Sequence, residues 1–538
     1  MIDIGVFTPA EARAYLSTKL DEQTPVDDLD GLAADLGYLP LALAQAVAYI
    51  HNADITCGAY RERLASRLLA HAVPGEQYLP DGHVRIVTAT WQLSIAQAEQ
   101  ALPADRGGLA RAVLVLVSVL DPAGIPQAVL DSPPALAYLA ASSSPEPVRE
   151  HEESVDAEVV DDVLRVLHRH SLLDHDRAAT YREIRIHQLL QRATREDLIS
   201  RPDHRPGHLT ALARAAADAL LEIWPDVERD GLGQVLRANT TALQQAAGPA
   251  LFHNNAHQVL FEAVHSLGEA GHVHAAATAC TDLVTSAARH LGPKHPDTLT
   301  ARLHLAHWQG RAGDAAGATA ALEKLLPIVE RVFGRDHPCT LGARHNQAFW
   351  QGESGDAAGA RAALEELLPI VERVFGRDHP NTLADRVSLA RWCGEAGDAA
   401  RAAADFKALL RIVKKVFGSD HPNTLSTRHD LAHWQGKAGD AARAAAALDE
   451  LLTDVDILLG PDHPSTLTTR YSLAHWLGEA GDAAGAADAF ADLLSEGCLL
   501  GVAPFGVGGL VRAWLLPVDG RSWPGCRGWH GGPGRGSA

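Results

Sequence analysis

The hexapeptide FGRDHP stands at Phe333–Pro338 and again, unchanged, at Phe375–Pro380. Its His-Pro pair recurs at a constant interval, at His295, His337, His379, His421 and His463. Glycine commonly ends a helix, and proline is tolerated in the first turn of a helix but not later. The hexapeptide therefore predicts a junction, at which one helical repeat ends at Gly334 and the next begins at Pro338.

Each 42-residue repeat is predicted to be a helical hairpin. In the first complete copy, small or apolar residues fall at i, i+4, i+7 and i+11, which is one face of a helix that buries its tryptophan. These residues are Ala301, Leu305, Trp308 and Ala312. Gly313 then interrupts the helix, and Asp314 can cap a second helix of about 18 residues. A degenerate copy precedes the array, since Gly271 lies one full repeat interval before Gly313.

Three repeat architectures have periods compatible with this interval: WD-type propeller blades, HEAT repeats, and tetratricopeptide repeats extended by a spacer. Few residues in the repeat are β-branched, which excludes the propeller. Ala306 and Ala318 have the spacing at which tetratricopeptide repeats place small residues between their two helices. The repeats resemble the kinesin-light-chain type, whose spacer carries a similar G-x-D-H-P. This resemblance implies an α-solenoid, so the chain as a whole is expected to be dominated by α-helices.

The region 1–225 contains a series of motifs in a characteristic order. They are GYLPLALAQAVAYI from Gly37, VTATWQLSI from Val87, VLVLVSVLDPAGIP from Val113, RIHQLLQRATRE from Arg185 and DALLEIWP from Asp218. In this order they resemble the distal half of an NB-ARC nucleotide switch of the STAND class, with a small helical subdomain followed by a winged helix. The alanine and arginine excess is typical of a GC-rich bacterial gene.

The resemblance implies two nucleotide contacts. Pro40, in the GLPLAL-like turn, would lie against the adenine, and His187, in the motif that resembles Met-His-Asp, would reach the β-phosphate of ADP. Both residues also have simpler interpretations, Pro40 as a helix start and His187 as a packed histidine, and Gln188 replaces the aspartate of the motif. The chain contains no GxxxxGK[ST] phosphate loop. ADP or ATP binding is therefore expected only if another chain or a missing N-terminal domain supplies that loop.

These features predict five regions along the chain. They are a truncated NB-ARC-like small helical subdomain (1–80), a winged-helix-like domain (81–200), a helical connector (201–252), a tetratricopeptide solenoid (253–494) and a disordered or frameshifted tail (495–538).

Composition restricts the possible partners. With 67 acidic and 47 basic residues the formal net charge is −20, so nucleic acid is not expected as a partner. Six cysteines without a CxxC pair indicate free thiols in a reducing compartment, which predicts a cytoplasmic location without a membrane span. His253 and His257 have a zinc-like i, i+4 spacing, but without further ligands we interpret them as solvent-facing side chains. No metal site is predicted.

We expect the chain to be the protein- or peptide-binding sensor portion of a STAND-type signalling protein, and we do not expect it to be an enzyme. An ATPase completed by another chain and a non-functional gene fragment are the alternatives. The ligand groove is expected on the first helices of the repeats. It would be lined by His345, Phe349, Val387, Arg391, His429, His433, Tyr471 and His475. Its histidines would gain charge as the pH falls from about 8 to 6, and acidic ligands would then bind more tightly. The recurring arginines, represented by Arg344, are interpreted as ion-pair residues between hairpins.

Overall fold

The structure is a computed structural model that describes residues 7–20, 28–36, 38–70, 82–103, 106–143, 155–200, 207–225, 228, 231–461 and 463–495. The predicted tail lies outside these residues from position 496 onward. The chain divides into two compact units. The N-terminal unit comprises residues 1–224, 231–253 and 257–259, and the C-terminal unit comprises the rest of the chain.

The N-terminal unit is mainly helical. Its helices are α1 (Pro9–Lys19), α2 (Leu29–Asp35), α3 (Pro40–Ala53), α4 (Cys57–Ala70), α5 (Gly82–Ala101), α6 (Leu109–Val117), α7 (Gln127–Leu130), α8 (Pro133–Ser143), α9 (Ala157–Arg169), α10 (Gln188–Ser200), α11 (His208–Glu222) and α12 (Leu232–Ala247), followed by a 3-10 helix (Gly248–Phe252). Its two strands are β1 (Asp174–His175) and β2 (Ile184–Arg185).

The apolar run Val113–Leu120 belongs to the buried core of this unit. Its residues up to Val117 lie in α6, a helix in which nearly every side chain is buried. The buried amide of Gln191, on α10, donates hydrogen bonds to the carbonyls of Val117 and Leu120, both at 2.9 Å. A Walker B aspartate follows a strand, whereas this run is a buried helix and therefore forms part of the core.

Residues 109–185 combine four helices with a short antiparallel hairpin. Helix α6 is followed by Ile125, which forms a bridge with Ile184 of β2, and then by α7, α8 and α9. The antiparallel hairpin of β1 and β2 completes this segment. The winged-helix assignment itself stays a prediction, and we return to it below.

Six consecutive helical hairpins form the described part of the C-terminal unit. Their helices are α13 (Gln258–Glu269), α14 (Val273–His290), α15 (Pro296–Arg311), α16 (Ala315–Phe333), α17 (Pro338–Glu353), α18 (Ala357–Phe375), α19 (Pro380–Glu395), α20 (Ala399–Phe417), α21 (Pro422–Lys437), α22 (Ala441–Leu459), α23 (Pro464–Glu479) and α24 (Ala483–Ser495). We call the odd-numbered helices of this set first helices and the even-numbered ones second helices. The predicted hairpin array is confirmed, including the degenerate copy, whose two helices flank Gly271.

Four residues of the FGRDHP junction determine where one helix ends and the next begins. Gly334 ends α16 with a φ of 96° and a ψ of 161°, a conformation that favours glycine. The ring of Phe333 stacks on that of His337 with centroids 4.8 Å apart, and Nδ1 of His337 accepts a hydrogen bond from the backbone N–H of Cys339 at 3.2 Å. The histidine is thus the N-cap of α17, and Pro338 occupies the first turn, where no backbone donor is needed.

The second helix of each repeat starts at the predicted aspartate. The side chain of Asp314 accepts a hydrogen bond from the backbone N–H of Gly317 at 2.8 Å. Inside the hairpin, Ala306 and Ala318 are 2% and 0% exposed, as the predicted close approach of the two helices requires. The repeat tryptophans are also buried, with Trp308 at 0% and Trp392 at 2% exposure.

Candidate functional site: the first helices of the repeats

In three of the repeats, the residue preceding the tryptophan lies between two tryptophans. The ring centroid of His307 is 4.9 Å from that of Trp308 in the same helix and 5.7 Å from that of Trp350 in the next first helix. Phe349 repeats this arrangement, at 4.9 Å from Trp350 and 5.9 Å from Trp392. Side chains that the sequence placed in an open groove therefore belong to a continuous aromatic ladder between successive first helices.

A glycine two positions after each tryptophan makes this close packing possible. A Cβ atom added at Gly394 would lie 2.4 Å from the ring of Trp434 in the next repeat, far inside van der Waals contact. Four other glycine–tryptophan pairs show the same clash, at 2.1 to 2.6 Å. They are Gly268–Trp308, Gly310–Trp350, Gly352–Trp392 and Gly436–Trp476. Sequence reasoning missed this glycine, although the recurring Trp-x-Gly was a visible signal.

Three of the predicted groove residues are removed from the surface. His345 and Val387 are completely buried, and Phe349 is 5% exposed. Nδ1 of His345 lies 2.5 Å from Oδ1 of Asp385, which is also completely buried, on the next first helix. The sequence predicted these side chains to line an open groove, but at these three positions the neighbouring first helix covers them.

Arg391 keeps only a small part of its side chain in solvent. Its Nη2 forms an ion pair with Oε1 of Glu353 at 2.6 Å, and the two side chains are 15% and 18% exposed. The guanidinium carbon also lies 4.8 Å from the ring centroid of Trp392 and 5.5 Å from that of Phe349. A ligand carboxylate would have to replace Glu353 to bind this arginine through two hydrogen bonds.

The expected titration of the groove histidines is wrong for His433. Burial between Trp434 and Trp476 lowers the pKa of His433 from its usual 6.5 to about 4, because the charged imidazolium loses its hydration there. His433 therefore stays neutral from pH 8 to pH 6 and cannot strengthen binding of an acidic ligand in that range. His429 is partly buried, with Nε2 2.9 Å from the hydroxyl oxygen of Ser472 on α23.

Tyr471 and His475, on α23, are the exposed members of the predicted set. Tyr471 is 36% exposed, and its ring makes an edge contact with Phe490 at 5.7 Å between centroids. His475 contacts Trp476 of its own helix at 4.8 Å. One turn further on, Ala486 is the only described residue that a Cβ atom at Gly478 would meet, at 3.6 Å. We call Tyr471, His475 and Gly478 the α23 face.

Three of the recurring arginines form ion pairs between hairpins, as predicted. Arg386 bridges to Glu372 of the preceding hairpin at 2.5 Å, and Arg344 and Arg470 make equivalent pairs with Glu330 and Asp456. Arg428 differs and bridges at 2.5 Å to Asp454 of its own hairpin. The reason is Lys414, which occupies the repeat position at which the other pairs have their acidic residue.

Pro40 and His187 have structural roles in the N-terminal unit. Pro40 is the first residue of α3, and its side chain is partly exposed. His187 is exposed, and its Nδ1 accepts a hydrogen bond from the backbone N–H of Leu189 at 3.2 Å, which caps α10. Their predicted contacts with a nucleotide stay predictions.

The interpretation of His257 as a solvent-facing side chain is wrong. This histidine is 3% exposed, and its Nε2 lies 3.1 Å from Oδ1 of Asp218. Among the described residues, no group of three or more histidine, cysteine or acidic side chains is placed to hold a metal ion. In the same part of the chain, no helix combines the length and the apolar character needed to cross a membrane.

Successive helical hairpins at a fixed interval define an α-solenoid of helical repeats. The repeats are tetratricopeptide repeats, because residues 297–373, 343–415 and 395–454 match the family model with that description. No curated protein matches the chain.

Three solved structures are similar to parts of the chain. Repeats assigned to a kinesin light chain of Podosopora anserina are 25% identical, with 37% of this chain and 95% of that chain covered and a TM-score of 0.32. BtubC from P. vanneervenii is 16% identical, with 49% and 96% covered and a TM-score of 0.34. A STAND protein with a tetratricopeptide repeat sensor from Pyrococcus horikoshii is 10% identical, with 95% and 68% covered and a TM-score of 0.39.

Proposed function

We propose that the chain is the sensor portion of a STAND-type signalling protein, and that its repeats bind a protein or peptide through the C-terminal end of the first-helix face. The observation that carries the proposal is the change in exposure along equivalent positions. Val387, on α19, is completely buried, whereas Tyr471, two repeats later, is 36% exposed. The polar and aromatic surface of α23 thus has the character of protein interfaces, in which tyrosine is enriched.

We therefore propose a binding surface that is smaller than the predicted groove and is limited to α23. Phe349, Val387 and His345 contribute to the stability of the array, and Arg391 is held by Glu353. His429 and His433, on α21, are covered by α23, and Tyr471 and His475, on α23, supply the accessible surface.

The STAND context is proposed from the N-terminal motifs. The order of α6, the bridge residue Ile125, the three helices α7 to α9 and the β1–β2 hairpin supports a winged helix in the region 81–200. Pro40 and His187 would contact a nucleotide only together with a phosphate loop from elsewhere. In such a protein, ligand capture by the repeats would shift the population between a closed and an open state.

Selection of peptides from a displayed library on the full chain tests the binding function. Affinities of the selected peptides are then measured by calorimetry for the unchanged chain and for Tyr471→Ala with His475→Ala. We expect at least a tenfold loss of affinity in the double variant. Ile457→Ala is the matched control, since Ile457 is 78% exposed on α22 and should leave affinity unchanged.

Two results would contradict the proposal. One is a set of peptides that binds the double variant as well as the unchanged chain, which would place recognition elsewhere. The other is a failure of repeated selections to yield any ligand that depends on the repeats.

A further inference from the structure

The α23 face has a covered counterpart in the preceding repeat. The equivalent residues on α21 are His429, His433 and Gly436, at the same i, i+4 and i+7 spacing. All three contact α23. His429 meets Ser472 at 2.9 Å, and Trp476 lies against His433 and, within 2.6 Å of an added Cβ, against Gly436.

The same interface occurs five times within the array. In each case the glycine of one first helix receives the indole ring of the next first helix, from Gly268–Trp308 to Gly436–Trp476. Gly478 is the next glycine in this series, and its surroundings within the described residues contain no such ring. The α23 face is therefore the next position in this series of interfaces, and the five internal pairs indicate that such a face binds an indole ring.

We infer that the partner presents an α-helix with a tryptophan that packs on Gly478 and His475. This inference rests on the proposed function. One internal interface, that between α21 and α23, also specifies a second feature of this helix. Ser472 stands one helical turn before Trp476 and meets His429, so the partner helix should carry a small hydrogen-bonding residue at i−4 from its tryptophan, facing Tyr471.

A second copy of this chain is a poor candidate for the occupant. The five repeat tryptophans are between 0% and 4% exposed, because each is already packed on the preceding hairpin. Residues 496–538 of the same chain contain three tryptophans but also twelve glycines, a composition that disfavours a helix. A helix of another protein therefore fits the observations best.

The test uses a helix-constrained, fluorescein-labelled peptide with the sequence of residues 422–437, which includes Trp434 and, at i−4 from it, Asp430. Fluorescence anisotropy measures its binding to the full chain. We expect saturable binding, and at least tenfold weaker binding of the peptide that carries Trp434→Ala. The chain variant Gly478→Leu should also bind the unchanged peptide at least tenfold more weakly, because the added side chain occupies the indole position.

Two variants control for folding and for a nonspecific effect of leucine. Gly478→Ala adds a Cβ at an ordinary 3.6 Å from Ala486, so it should fold normally and still weaken binding. Glu479→Leu adds the same side chain as Gly478→Leu at the neighbouring exposed position and should bind like the unchanged chain. Melting curves of all three variants should show no loss of stability relative to the unchanged chain.

Several results would overturn the inference. Equal binding by Gly478→Leu would show that the indole does not pack on this glycine. Tenfold tighter binding by a chain ending at Ser495 would assign the face to residues 496–538. Self-association of the unchanged chain in sedimentation, lost in Gly478→Leu, would assign it to a second copy.

The inference and the proposed function can fail separately. Library peptides that depend on Tyr471 and His475 but not on Gly478 or on a tryptophan would refute the tryptophan helix and leave the binding function standing. Absence of binding by both the library peptides and the probe peptide would refute both.

Discussion

We call the five glycine–tryptophan pairs between successive first helices the glycine–tryptophan ladder. It predicts opposite effects on stability for the same substitution at two equivalent glycines. Gly394 and Gly478 both lie in first helices, two repeats apart. Glycine to alanine in a helix interior gains about 1 kcal/mol from helix propensity. At Gly478 the new methyl group meets, in the part of the chain that the structure describes, only Ala486 at 3.6 Å, so the gain should be retained.

At Gly394 the same methyl group would lie 2.4 Å from the ring of Trp434. Contact at an ordinary separation requires the indole to move by about 1 Å within a closely packed interior. Overpacking of this kind costs about 1 to 3 kcal/mol, and the rigid, buried indole favours the upper half of that range. After subtraction of the propensity gain, we expect Gly394→Ala to lower the free energy of unfolding by about 1 to 2 kcal/mol.

Urea denaturation followed by tryptophan fluorescence measures the two variants side by side. Hydrogen exchange adds local information, because repeat arrays lose stability mainly at the affected interface. Faster exchange should be confined to α19, α21 and their immediate neighbours in Gly394→Ala. Equal stability of the Gly394 and Gly478 variants would refute the ladder as an energetic element of the array.

Three further effects follow from the same contacts. Trp392→Ala should cost about 3 to 5 kcal/mol by leaving a cavity, while Val374→Ala, on an exposed second-helix position, should change stability by less than about 0.5 kcal/mol in the same denaturation assay. Burial lowers the pKa of His433 to about 4 in the folded chain, so the packed neutral ring contributes fully to the free energy of unfolding above about pH 6.5. This contribution is lost as the pH falls toward 4. His433→Phe, which copies another repeat, should reduce this acid-induced loss by up to about 3 kcal/mol in urea titrations between those pH values, and an unchanged pH slope would contradict this. Lys414→Glu should restore the inter-hairpin pair of Arg428 and raise stability by at most about 1 kcal/mol, an effect that 1 M NaCl should largely remove.

The repeat fold could be predicted from the sequence because its signals are local and occur several times. Gly334 and Pro338 mark helix ends through their backbone properties alone, and Asp314 caps the second helix whatever its neighbours are. Comparison of copies then separated the recurring core from variable positions. The role of His337 as an N-cap was not predicted, because imidazole is an unusual cap and its acceptor nitrogen is defined only by the backbone geometry.

The accessibility of the candidate site could not be predicted in the same way. Whether Phe349 faces solvent depends on how closely the next first helix approaches, and that distance is set by Gly352 in its own helix and Trp392 in the next. Periodicity assigns a side chain to a face of its helix, but only the packing of two consecutive repeats shows whether that face is open.

Packing between consecutive repeats also explains why a histidine can replace phenylalanine between two tryptophans and yet does not gain charge near neutral pH. An imidazole ring packs between two indoles much as Phe349 does, and burial at that position then favours its neutral form. A histidine that the tryptophan of the following first helix covers, as Trp476 covers His433, therefore does not acquire charge between pH 6 and 8. His433→Ala should consequently leave unchanged any difference in ligand affinity between pH 8 and pH 6, as measured by calorimetry on the variant and on the unchanged chain.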